Sequence, residues 1–174
     1  PASGTSVWAT TPTLTDNSGS PWAGTHRVVI KGSGGNINIS SGGDKIRITI
    51  QGYSNLPSAM DNVAIVERAG ESPNGTTIPT EILFGGASGF YIGANSTITS
   101  DWLDYTIDPE KDYLIIFDID QARAPSFPFS NTGGDGAYDS GDSSAGYNLQ
   151  NMSMGTRAFF PTRRMAISKL EVGV

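Results

Sequence analysis

Lys45-Ile-Arg-Ile-Thr-Ile-Gln51 decides the fold class. Ile46, Ile48 and Ile50 alternate with Arg47 and Thr49, so one face is apolar and the other polar. That period of two belongs to a half-buried β-strand and to no helix. Working outward, similar short apolar runs recur at 26–31, 36–40, 62–67, 78–84, 89–92, 103–107, 113–119 and 164–172. Gly32-Ser-Gly34-Gly35, Ser40-Ser-Gly-Gly43, Ser72-Pro-Asn-Gly75 and Gly85-Gly86 punctuate them as turns. Met165 and Ile167 fall out of step with Leu170 and Val172, which predicts a bulge near Ser168. No segment carries a 3.6-residue apolar repeat, and at most one helical turn is expected near 58–62. About nine short strands at this spacing predict an all-β fold, an antiparallel β-sandwich of the jelly-roll kind.

One stretch interrupts the rhythm. Residues 122–154 show no strand-like alternation and are rich in Gly, Ser, Asp and aromatics, so they are expected to form one long functional loop. Phe127, Phe129, Tyr138 and Tyr147 argue against a plain linker, and Pro125 and Pro128 stiffen its start.

Length and composition bound the rest. The 174 residues suit one domain, 1–174, and the opening at Pro1 suggests a piece of a larger multidomain protein. Eleven Lys and Arg against seventeen Asp and Glu give a net charge of −6, which argues against nucleic acid as a partner. No apolar run approaches the roughly 20 residues of a membrane span, so no membrane partner is expected. Without cysteine there is neither a disulfide framework nor a thiolate metal site.

Catalytic material is sparse. His26 is the only histidine, and it is expected at a surface or turn position. Gly141-Asp142-Ser143 has the letters of an esterase nucleophile block but sits in a Gly/Ser loop, with His26 far upstream. Ser–His chemistry therefore has no material. The twelve Asp and five Glu could supply a glycosidase pair by count alone, yet most fall at turns and strand ends. Gly32-Ser-Gly34-Gly35 lacks the Lys-Ser/Thr of a phosphate loop. The chain is expected not to be an enzyme.

Binding residues are more plentiful. A sugar needs a flat apolar face for its C–H side and polar groups for its hydroxyls, which Tyr and Trp beside Asn, Asp and Arg provide. Tyr53, Tyr138, Tyr147 and Trp102 are the candidate aromatic platforms, with Trp8 and Trp22 also near turn signals. Seven of the eleven cations are Arg, and Arg123, Arg157, Arg163 and Arg164 flank the long loop. Of these, Arg123, Arg157 and Arg163 are the candidate contacts for an acidic sugar, as in a xanthan-like gum. Their alternative is neutralisation of nearby Asp. Asp135, Asp139 and Asp142 could gather oxygens for a structural Ca2+, with Asp118 and Asp120 at a strand end as further donors. A solvated acidic loop is the competing reading.

A set of short motifs in one order adds a resemblance. Ile46-Arg-Ile-Thr-Ile, Ala64-Ile-Val, Ile82-Leu-Phe-Gly-Gly86, Ile98-Thr-Ser-Asp101 and Asp112-Tyr-Leu-Ile-Ile-Phe117 together resemble the accessory N-terminal β-sandwich of bacterial SGNH-type esterases. They cover less than half the chain. The resemblance implies a sandwich that accompanies a catalytic domain, and such modules often bind carbohydrate. The expected function is thus a secreted, non-catalytic carbohydrate-binding module that targets an attached catalytic domain to an extracellular polysaccharide. The rival is a structural or adhesive domain of a phage tail fibre or surface protein. A small glycan-active enzyme is the third reading.

Overall fold

We analysed a computed structural model of the chain; it describes residues 4–9, 22–53, 57–123, 129–130, 134–140, 147–152, 158–165 and 167–174. The strands in chain order begin β1 (Gly4–Ala9), β2 (Trp22–Ile30), β3 (Gly43–Gln51), β4 (Ser58–Met60), β5 (Asn62–Glu67) and β6 (Thr80–Glu81). They continue β7 (Leu83–Phe84), β8 (Ala87–Ser88), β9 (Phe90–Ile92), β10 (Thr97–Thr99), β11 (Leu103–Ile107) and β12 (Tyr113–Arg123). The last are β13 (Phe129–Ser130), β14 (Ala137–Ser140), β15 (Ala158–Phe160), β16 (Arg164–Met165) and β17 (Ile167–Gly173). Two antiparallel sheets dominate. One runs β1-β17-β3-β10 with β11 also on β3, and the other β15-β14-β2-β12-β5-β6. The all-β sandwich is therefore present. Among the described residues there is no helix.

The core lies between the sheets. Ile46, Ile48 and Ile50 of β3 meet Val28 and Ile30 of β2, Val63 and Ile65 of β5, and Ile115 and Phe117 of β12. Each such side chain contributes about 1.5–3 kcal/mol on burial. The alternation in β3 matches its sequence pattern, and the β17–β3 register shifts between Ile167 and Lys169, where the bulge was expected.

The six-stranded sheet is buried on its other face too. Val29, Ala64, Val66, Leu114 and Ile116 form a second apolar cluster, with Tyr138 and Tyr147 packed against it. This explains why 113–117 reads as an unbroken apolar run: β12 is central and covered on both sides.

Several expectations need correction. Residues 58–60 form β4 rather than a helical turn. Residues 36–40 contribute buried Ile37 and Ile39 but only an isolated bridge, Lys31–Asn38. The 122–154 stretch is not all loop, since it contains β13 and β14. Ala137 faces the core and Tyr138 the outer cluster, an alternation too short to stand out among Gly, Asp and Ser. Pairing with β2 and β15 organises β14 where local propensity does not. His26 is 3% exposed, neither surface nor turn, because it sits mid-strand facing inward beside Val28.

Candidate functional site: an aromatic cleft beside β14

In β14, consecutive side chains point to opposite faces, and this separates the candidate residues into two groups. Tyr138 pairs in register with Arg27 and with Phe159, all three on the outer face of the six-stranded sheet. Asp139 pairs with His26 on the inner face.

The outer group forms a cleft. Lys31, Arg68, Glu71, Asp135, Tyr138 and Phe159 line a volume of about 300 Å3. The rings of Tyr138 and Phe159 lie 4.7 Å apart and tilted by 37°, and Phe159 keeps 47% of its surface exposed. Gly136 makes this stack possible. Its φ of +114° is a glycine conformation, and a Cβ there would lie 2.5 Å from Cζ of Phe159.

The polar wall is built around Arg68. Its Nε donates to the Ser72 carbonyl at 2.9 Å and its Nη2 to the Tyr138 hydroxyl at 2.8 Å. Asp112 lies 3.8 Å from its Nη1. The Tyr138 hydroxyl donates in turn to the Glu71 carbonyl at 3.4 Å. Lys31 has no ion-pair partner among the described residues, and its position just past β2 puts its charge on the cleft.

Asp135, a candidate calcium ligand, spends its carboxylate on the chain itself. Oδ1 accepts the Asn36 amide and Oδ2 the Ile37 amide, both at 2.8 Å, which fixes the loop after β2. Asp139 is turned away from it to the inner face, so the two do not share a site. Asp118 is also buried, accepting the Thr25 hydroxyl at 2.7 Å. Asp142 lies outside the described residues, as does the side chain of Asp120. Among the described residues, no three His, Asp or Glu side chains are grouped to hold a metal.

The inner group is a buried charge cluster. Asp139 lies 3.8 Å from His26 Nδ1 and 3.7 Å from Arg163 Nη1. Burial pushes the Asp139 carboxyl up to about 6, only partly opposed by Arg163. Burial, with Arg163 close by, holds His26 well below the usual imidazole range, so it is neutral at pH 7. The signs oppose each other. His26 contributes stability that is lost as pH falls below 6.5, whereas Asp139 contributes stability present below about 4 and lost as pH rises through about 6. Asp139→Asn is expected to gain about 1 kcal/mol over the parent at pH 7, with that advantage shrinking to nothing by about pH 4. Urea unfolding at several pH values checks this, and a constant difference between the two proteins would contradict it.

The other predicted residues divide plainly. Tyr53 is 2% exposed and offers no face to a ligand; it is core. Trp102 is half-buried over Gly4 and Gly173, and the Arg47 guanidinium lies 4.5 Å from its ring centre. Arg47 is itself paired with Glu171 at 2.7 Å, so this indole is packed within the surface of the five-stranded sheet. Tyr147 is half-buried on the outer apolar cluster. Arg163 stacks on Phe160 at 3.6 Å and faces Asp139, which matches the alternative of charge neutralisation. Arg157 lies outside the described residues, and Arg123 is placed only as the end of β12, opposite Trp22. The side chains of Trp8, Trp22 and Arg164 are not described.

Sequence reading missed Lys31, Arg68, Glu71 and Phe159. Phe159-Phe160 alternates across β15, one ring out and one in, but two adjacent aromatics look like a core pair. Lys31 and Arg68 each lie one residue past a strand, outside its apolar alternation. Compared with protein-family models and with curated proteins, the sequence matches none.

Proposed function

We propose that this chain is a non-catalytic carbohydrate-binding module whose site is the cleft beside β14. The observation that carries the reading is the half-exposed Phe159 ring, braced by Tyr138 and bordered by Lys31, Arg68 and Glu71. An exposed flat ring takes the C–H face of a sugar, and a mixed-charge border takes its hydroxyls. Lys31 adds a contact for a sugar carboxylate, so acidic extracellular polysaccharides stand first among the ligands. Among the described residues that line the cleft, the carboxylates are Glu71 and Asp135, and Asp135 accepts two loop amides; the exposed ring is what favours binding as the reading. Affinity would fall in the micromolar to millimolar range, enough to keep an attached catalytic domain near its substrate.

Affinity electrophoresis through gels containing neutral or acidic polysaccharides tests this reading, with and without EDTA. Retardation in an acidic gel, unchanged by EDTA, is the expected result. Free migration in every gel would sink the proposal and favour the structural or adhesive alternative, whose next check is the molecular size in solution. Retardation abolished by EDTA would restore a calcium requirement.

A further inference from the structure

Arg27 is fully buried in the middle of β2, on the same sheet face as Tyr138 and opposite it in register. Its partners are all backbone carbonyls. Nη1 donates to Pro73 at 3.0 Å and Gln150 at 3.1 Å, and Nη2 donates to Leu149. No carboxylate pairs with it among the described residues. Its Nε, also buried, makes no hydrogen bond there. The guanidinium remains charged at neutral pH even though burial pulls it down to about 10.

Such a residue is a poor choice for stability alone. A buried charge held by neutral groups is costly, and an apolar side chain of similar volume often serves as well. What the guanidinium does supply is a fork that reaches two separate loops at once. Pro73 follows the loop residue Glu71, which lines the cleft; Leu149 and Gln150 follow Tyr147. Beyond the fork the same loops brace each other. Gly75 N–H donates to the Gln150 carbonyl at 2.8 Å, the Gln150 side chain donates back to the Gly75 carbonyl at 3.2 Å, and Met152 N–H donates to Asn74 Oδ1 at 3.1 Å.

We propose that Arg27 is the positioning residue of the cleft: from inside the sheet it clamps the 71–76 and 147–152 segments together and so sets where Glu71 stands relative to the Tyr138–Phe159 rings. This rests on the carbohydrate-binding reading. Arg27 touches no ligand, and its effect on binding passes through Glu71.

The test uses the full chain and two readouts. Arg27→Lys keeps the charge but cannot span three carbonyls. Amide hydrogen exchange at Gly75 and Met152 is expected to speed up at least tenfold in this variant, while the Ile48 amide of the five-stranded sheet keeps its rate. In gels of the polysaccharide that retards the parent, Glu71→Gln is expected to weaken retention severalfold. In the Arg27→Lys background it should add nothing, whereas Phe159→Ala should cost the same in both backgrounds. Asn74→Ala removes the Met152 bond from the solvent side and should reproduce the loss of the Glu71 contribution, so the test stands even if Arg27 variants fold poorly. Unchanged exchange at Gly75 and Met152, or a Glu71→Gln effect that persists in full, would overturn the proposal. A parent protein retarded by no polysaccharide would instead bring down the binding reading and the cleft role with it, and the exchange rates would then show separately whether Arg27 clamps the loops.

Discussion

Phe159→Ala is expected to weaken retention in polysaccharide gels by more than tenfold while leaving the thermal midpoint close to that of the parent. The ring is 47% exposed at the edge strand β15, so little burial energy is lost with it. As the central aromatic of a binding cleft, it is the kind of residue whose truncation costs about 2 kcal/mol or more, which is over tenfold in affinity. Gly136→Ala should produce the same loss by another route. The new methyl would occupy space held by the Phe159 ring, and the backbone at φ +114° would be strained. The ring must then leave its stack on Tyr138. The two variants differ in stability: Gly136→Ala should lower the thermal midpoint and Phe159→Ala should not. Gel retention and differential scanning calorimetry measured on both proteins check the pair. Parent-like retention by Phe159→Ala would remove the ring from the site.

Ile116→Ala is expected to destabilise the fold by about 2–5 kcal/mol, the same range as Ile115→Ala. The two residues are neighbours in β12 on opposite faces, and both are fully buried. Ile115 belongs to the core between the sheets, where such a cost is unsurprising. Ile116 belongs to the outer cluster, against which Tyr138 and Tyr147 pack. Were that face open to water, truncating Ile116 would change stability by less than about 0.5 kcal/mol. Denaturant unfolding of the two variants side by side distinguishes these cases. A large cost at Ile116 also supports the cleft, because Tyr138, which lines it, packs on the same cluster.

The sheet strands were legible where burial is one-sided. In β3 the alternation of Ile with Arg and Thr is a direct print of one face in the core and one in water. Strand β12 was legible as a strand but not as a doubly covered one, since an apolar run does not say what lies on each side. The candidate site is harder to read because its lining comes from four stretches far apart in the chain, at Lys31, 68–71, 135–138 and Phe159. Tyr138 stands out in the sequence by its setting among Gly and Asp. Its partners do not, because Lys31 and Phe159 come to it only through the β2–β14–β15 pairing, and Arg68 only through the order β2-β12-β5 of the same sheet. The same β2–β14 pairing separates two of the candidate metal ligands. Asp135 and Asp139 are four residues apart in sequence, yet one caps backbone amides beside the cleft and the other is buried against His26. Trp102 and Tyr53 show the reverse failure, where aromatics chosen for chemistry serve packing. In both, a neighbouring cation or apolar strand invisible in local sequence claims the ring.

The most direct measurement is a titration of the isotope-labelled protein with oligosaccharides from the polysaccharide that retards it, followed by amide chemical shifts. Shifts are expected at Lys31, Arg68, Glu71, Gly134–Tyr138 and Phe159, with the outer face of the five-stranded sheet around Arg47 and Trp102 unmoved. Shifts confined to that five-stranded face, with the β14–β15 cleft silent, would contradict this expectation.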